Sequence, residues 1–269
     1  MNMIDRNLNW DVQEKAIHCD NIIVSNKKAL VRTDNQKVLA VLSNAYRLFS
    51  NNDLKDLCRE IERNTHYRLN RFVELGGGKK VLAFLENIDL QSINGTPVKE
   101  FLVIGNSFDG TSSLFVGYNS HMCRCENQFT DATRILSSKH LNGKMNADLT
   151  FKDVLSHFEY QKMSTLRKFH KMEQTKVSGR EINRLIKLLL GETDQEQMSP
   201  KEQKLRASVR REMAHFGNNA WGLFNGITHY TSNVINDGNN SFGNVSGSSH
   251  RMNNKAMRFL MQLDGHYNI

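Results

Sequence analysis

Near residue 125 the spacing of the apolar side chains changes, and that change limits the fold more than any other feature of the chain. From residue 21 to about 118 the sequence reads as short β-type runs, at 21–24, 29–34, 37–43, 45–49, 67–75, 80–87, 98–105 and 112–118. Turn formers separate them: Asp34-Asn35, Gly76-Gly77-Gly78, Asn94-Gly95-Thr96-Pro97 and Asp109-Gly110. Glycine, asparagine and aspartate tolerate positive φ, and proline presets a turn, so antiparallel hairpins are the natural product. One helix, at 53–63, interrupts this half and gathers Leu54, Leu57, Cys58 and Ile61 on one face.

Beyond residue 125 the period becomes 3.6. Thr150…Asp153, Ser178…Glu181 and Ser199…Glu202 each place a hydroxyl three residues before an acid, the spacing of a capping box, and Pro200 occupies the favoured first helical position. The first of these helices offers Phe151, Val154, Leu155, Phe158, Leu166 and Phe169 to a core. The second offers Ile182, Leu185, Ile186 and Leu189 before Gly191 stops it, and the third offers Leu205, Val209 and Met213 and ends near Gly217. Helical patterning returns at 220–235 and 251–263, on either side of an Asn/Gly/Ser/Asp-rich stretch at 236–249 that reads as a flexible loop. The expected fold is α+β, with an antiparallel sheet-rich core at 1–138 and a helical extension at 139–269 packed on it as one domain.

Charge follows the helical half. The chain carries 36 Lys and Arg against 28 Asp and Glu. Residues 139–215 hold 16 of those basic side chains and 10 of the acidic ones, whereas residues 1–138 are nearly balanced at 17 and 16. Positive charge gathered in one region calls for an anionic partner, and nucleic acid is the commonest large anion for a chain of pI near 9.3. Nothing approaches the length of apolar run that a membrane span needs, and Asp5 and Arg6 stand where a secretory leader would be apolar. A cytoplasmic protein of a bacterial host is expected, with Cys19, Cys58, Cys123 and Cys125 reduced.

The segment 160–187 concentrates the excess: Lys162, Arg167, Lys168, Lys171, Lys176, Arg180, Arg184 and Lys187 face only Glu173 and Glu181. Such a run is often a solvated helix face, but eight cations against two acids exceed what Glu–Lys pairing along a helix absorbs. Cations at a phosphate backbone release condensed counterions and give salt-sensitive, sequence-independent affinity. In the sheet-rich half, Arg68, Arg71, Phe72, Lys79 and Lys80 flank the Gly76–Gly78 turn, mixing cations with an aromatic as single-strand binding requires. Phe72 and Phe84 read first as core, and Gly76–Gly78 as only a turn. The residues nominated for backbone contact are Arg68, Arg71, Lys79, Lys80, Lys162, Arg167, Lys168 and Lys171.

Other constellations carry less. Gly76-Gly77-Gly78-Lys79-Lys80 lacks the spacing and following helix of a phosphate-binding loop. His121, Cys123 and Cys125 share a parity on an extended segment but have no fourth ligand at metal-site spacing, so no metal and no cofactor is expected. Asp34, Asp109 and Asp131 are scattered, and His215 and His229 have no partner identifiable from spacing, so no catalytic constellation can be nominated. Trp221, Asn225 and Thr228 fall on one helical face and read as core packing with a buried amide network, or alternatively as a stacking or subunit-contact face.

In order and spacing, Arg32-Thr33-Asp34, Tyr46, Gly76–Gly78, Asp109-Gly110, Cys125-Glu126-Asn127 and Trp221-x-x-x-Asn225-x-x-Thr228-x-Tyr230 resemble a family of phage and plasmid proteins, the domain of unknown function of the 932 series. Met122-Cys123-Arg124-Cys125 departs from that family's Val-Val-Cys run. The resemblance implies a mobile-element origin and supplies no catalytic residue. At the level of fold it is similar to phage single-strand-annealing proteins, which assemble into rings or filaments. A non-enzymatic protein that binds or anneals single-stranded DNA as a homo-oligomer is therefore expected. A protein that docks its basic helices on a host factor is the alternative, and a metal-dependent nuclease a more distant one.

Overall fold

The computed structural model describes residues 3–5, 8–89, 91–93, 95–112, 114–122, 128–133, 151–191, 198–235 and 247–263. Among them the fold is α+β, strands first and helices after. The chain forms two compact units. Unit 1 comprises Met1–Asp89, Phe101–Tyr118 and Ala132–Gln161, and unit 2 comprises Leu90–Glu100, Asn119–Asp131 and Lys162–Ile269.

Unit 1 opens with β1 (Met3–Asp5) and then a three-stranded sheet of β2 (Val12–Cys19), β3 (Ile22–Arg32) and β4 (Val38–Ser43), antiparallel in that order. The β2–β3 hairpin turns at Asp20, whose φ of 52° is one of the few positive values at a non-glycine residue. β2 was not among the expected strands, for a visible reason: most of it is exposed, so it shows no buried alternation. The expected run at 45–49 is not a strand. It is a turn and irregular segment in which the Tyr46 hydroxyl donates to the Ser107 carbonyl at 2.9 Å and Asn106 donates to the Phe49 carbonyl at 2.7 Å. Its apolar side chains pack on the core without their backbone joining a ladder.

Helix α1 (Asn51–Asn64) begins in a full capping box between Ser50 and Asp53 and buries Leu54, Leu57, Cys58 and Ile61, the face read from the sequence. The main sheet follows with β5 (Tyr67–Leu75), β6 (Lys80–Asn87), β7 (Gln91–Ile93), β8 (Thr96–Ser107), β9 (Phe115–Met122) and β10 (Gln128–Thr133). Its order is β1-β5-β6-β8-β9-β10, with β7 paired to the start of β8. The glycine turn joins β5 to β6. There Gly78 has φ +94°, and a Cβ on it would come within 2.5 Å of Arg32 Nη1 and 2.9 Å of the Trp10 ring. Only glycine satisfies both conditions.

The C-terminal half supplies α2 (Phe151–Gln174), α3 (Gly179–Leu190), α4 (Pro200–Phe216), α5 (Ala220–His229), a π-helical turn (Tyr230–Val234) and α6 (Ser248–Met261). Every residue of α5 is buried. Trp221, Asn225 and Thr228 are core: Asn225 donates to the Trp221 carbonyl and Thr228 to the Asn225 carbonyl, so the polar side chains close on their own helix. Each unit has its own core. That of unit 1 is built from Trp10, Leu54, Ile61, Phe72, Leu102, Ile104, Tyr118 and Phe158, and that of unit 2 from Phe129, Phe169, Met172, Leu185, Trp221, Phe224 and Leu260. Among the described residues no helix is long and apolar enough to cross a membrane. Cys123, Cys125 and residues 236–246 lie outside the described residues, and Ser248 and Ser249 open α6.

Candidate anion-binding cleft

Amphipathy makes the site. The buried face of α3 carries Leu185 and Ile186 with Ile182 and Leu189 beside them, so the residues between are turned outward. Ser178 fixes where the helix starts: its side chain accepts from the Glu181 amide, and the Glu181 carboxylate accepts from the Ser178 amide at 2.6 Å. Gly191, at φ +88°, ends it, its amide donating to the Lys187 carbonyl. The outward stripe of Arg180, Asn183, Arg184, Lys187 and Leu188 lines a cleft of about 790 Å³ in unit 2, whose other wall is Phe259 and Gln262 near the end of α6. No carboxylate lines it among the described residues.

The polar groups here are arranged to donate. Arg180, Arg184 and Lys187 are donors only. Asn183 accepts from Arg206 Nη1 at 2.7 Å through its side-chain oxygen, which leaves its amide nitrogen for other partners. Arg206 is itself held by Glu202 on α4 at 2.8 Å. The Arg184 guanidinium stands 5.7 Å from the centroid of Phe259, a cation–π distance that orders a side chain otherwise free to wander. Lys255 on α6 donates to the Leu188 carbonyl at 2.6 Å and so ties the two walls together where the C-terminal end of α3 is negative. Three cations and an amide, with no acid among the described lining residues, are chemically suited to an anion with several oxygens.

The nominated residues fall into two groups. Lys162, Arg167, Lys168 and Lys171 are on α2 in unit 2. Lys162 pairs at 2.8 Å with Glu100, whose side chain is 2% exposed, so its charge is committed to holding a buried acid. Lys171 donates to the Met261 carbonyl at 3.2 Å, at the C-terminus of α6. Arg167 is exposed and Lys168 half-buried. In unit 1, Arg68 is exposed but closes the end of α1, donating to the carbonyls of Glu62 and Thr65 at 2.8 and 2.6 Å. Arg71 is half-buried against Phe84 at 4.6 Å, and burial lowers its pKa, against the pull of Glu86. Lys79 is exposed in the glycine turn and Lys80 is half-buried; burial pushes the Asp109 carboxyl up, but the hydrogen bonds from Ser107 and Thr111, with the charge of Lys80, hold it below its ordinary range. Arg180, Arg184 and Lys187 were counted in the basic run but not nominated. The signal that could have found them is their i, i+4, i+7 spacing opposite an apolar face. Phe259 and Gln262 left no such signal.

Two buried networks were invisible in the sequence. In unit 1, Arg32 is 6% and Glu74 5% exposed. Arg32 pairs with Glu74 at 2.8 Å and with Asp34 at 2.7 Å, its guanidinium lies 3.7 Å from the centroid of Trp10, and Trp10 Nε1 donates to Glu74. The hydrogen bonds from Arg32 hold the Asp34 carboxyl below its ordinary range. In unit 2, Arg211 Nη1 lies 3.1 Å from His229 Nε2, and His229 Nδ1 lies 3.1 Å from Ser208 Oγ. A guanidinium only donates, so Nε2 is the acceptor and Nδ1 carries the proton and donates to Ser208. A base that activates a serine needs the opposite polarity, with the imidazole accepting from the hydroxyl. Ser208 and His229 therefore form a structural contact.

A family model described as Domain of unknown function (DUF932) matches residues 38–258, from the start of β4 to the last turn of α6. The match takes in the whole α3 wall of the cleft and stops one residue before Phe259. No curated protein and no solved structure matches. Matched over most of its length, the chain belongs to the family described as Domain of unknown function (DUF932).

Proposed function

We propose that this chain is a non-enzymatic nucleic-acid-binding protein whose helical unit holds the phosphate backbone. The observation that carries the reading is the cleft in which Arg180, Arg184 and Lys187 share one stripe of α3, with no acid among its described lining residues. A structural ion-pair network alternates signs, whereas a polyanion site does not. Arg167, exposed on α2 of the same unit, is a further candidate contact. Lys162 is left out of the contact set because Glu100 holds it. The resemblance to phage and plasmid proteins supports a role in the recombination or replication of a mobile element. Assembly of several copies along one strand would multiply contacts that are individually weak.

The test is fluorescence anisotropy with a labelled oligonucleotide of about 30 nucleotides, longer than the ~4–16 nucleotides that one binding fold covers. Affinity is expected to fall steeply between ~50 and ~200 mM salt, and Arg184→Gln to lower the slope of log K against log salt by about 0.7–1. Binding indifferent to salt, or absent at micromolar protein, defeats the reading. Stoichiometric capture of an acidic host protein without nucleic acid would replace it by the docking alternative.

A further inference from the structure

We infer that the α3–α6 cleft takes an unpaired nucleotide, with its phosphates at Arg180, Arg184 and Lys187 and a base face against the exposed Leu188, beside the largely buried ring of Phe259. The inference rests on the nucleic-acid reading and names the strand form that the cleft selects. Its ground is a polarity gradient along one wall. Arg180, Asn183, Arg184 and Lys187 come first, the cations spread over about 10 Å of helix axis at 1.5 Å per residue. The same wall then turns apolar at Leu188 and Gly191, facing Phe259.

Leu188 is 40% exposed, on a helix whose neighbouring Leu185, Ile186 and Leu189 are directed into the core. An exposed leucine directly beside three cations has little to gain from a bare phosphate, which is solvated on all sides. It gains from a ligand whose charged and apolar parts are about one residue's reach apart. A nucleotide has that form. In a duplex the base faces are stacked away and a protein surface meets only the backbone and the base edges in the grooves, so a duplex can use the cations but offers no base face to the apolar end. An unpaired strand offers both, and it is slender enough to enter a concave space of about 790 Å³. Arg184 sits at the junction, its guanidinium against Phe259, where it can meet a phosphate and the edge of a stacked base together.

The experiment compares one labelled oligonucleotide, single-stranded and as a blunt duplex, at a fixed salt concentration. Wild type, Arg184→Gln, Leu188→Asn and Leu188→Ala are measured, with far-UV circular dichroism to confirm that each variant is folded. Wild type should hold the single strand about tenfold tighter than the duplex. Leu188→Asn and Leu188→Ala should weaken the single strand by about five- to tenfold, the range of one lost base contact, and leave the duplex unchanged. Arg184→Gln should weaken both. Equal affinity for the two forms overturns the inference, as does a Leu188 effect that is absent or is shared by the duplex, while salt-sensitive binding reduced by Arg184→Gln would keep the broader reading standing. If wild type binds neither form, both readings fall.

Discussion

Glu74 shows how much one side chain can hold. It is 5% exposed, and its two oxygens serve Trp10 and Arg32, whose guanidinium also fastens Asp34 and lies against the indole. Breaking a buried pair from one side leaves an uncompensated charge, which usually costs about 3–5 kcal/mol. Glu74→Ala leaves Arg32 to Asp34 alone and the Trp10 N–H without its acceptor, so it should lower the urea midpoint of unfolding, and a loss of stability smaller than about 1 kcal/mol would show that the pair is not desolvated as its geometry implies. Arg32, Asp34 and the glycine turn were all legible as residues worth attention. That they meet was not, because Arg32 and Glu74 are 42 positions apart and neither the pattern nor the composition pairs them. At the cleft the same limit holds: α3 announced its cations, but Phe259 belongs to another helix and arrives only through packing.

Among the elements, β5 and β6 run over the residues expected of them, and the caps of α3 and α4 form at Ser178 and Ser199 as their spacing indicates. These are the segments where local chemistry and tertiary demand agree. β2 escaped because its exposed strand lacks an apolar face, and 45–49 misled because its apolar residues reach the core from a loop. The α4–α5 contact carries a consequence for pH. Burial lowers the His229 pKa from its ordinary 6.5, Arg211 lowers it further and Glu212 opposes both. The folded state thus binds this proton less readily than the unfolded chain does. The contribution of His229 to stability is present above about pH 6.5 and is lost as the pH falls from there toward the folded-state pKa. Thermal melts at pH 7.5 and 5.5, each about one unit from that value, should differ for wild type, and His229→Gln should narrow the difference. An equal difference in the variant would place the pH sensitivity elsewhere.

At the scale of the whole molecule, each unit has its own core, yet α2 contributes to both, with Val154 and Phe158 in one and Phe169 and Met172 in the other. β8 does the same through Leu102 and Ile104 on one side and Val98 on the other. Elements shared in this way cannot stay ordered when either core melts, so unfolding should be cooperative. The two tryptophans report it: Trp10 belongs to the core of unit 1 and Trp221 to that of unit 2. In single-tryptophan variants, Trp10→Phe and Trp221→Phe, the urea transitions should coincide, and two separate midpoints would show independent cores.

Helix α5 has no side that water can wet: all ten of its residues are buried, beneath α4 before it and α6 after it. A nascent chain that has just delivered residue 235 therefore holds a greasy rod with part of its sheath still inside the ribosome, and it must wait about 25 more residues for the rest, one to a few seconds at ordinary synthesis rates. During that pause the segment is a natural client for a chaperone.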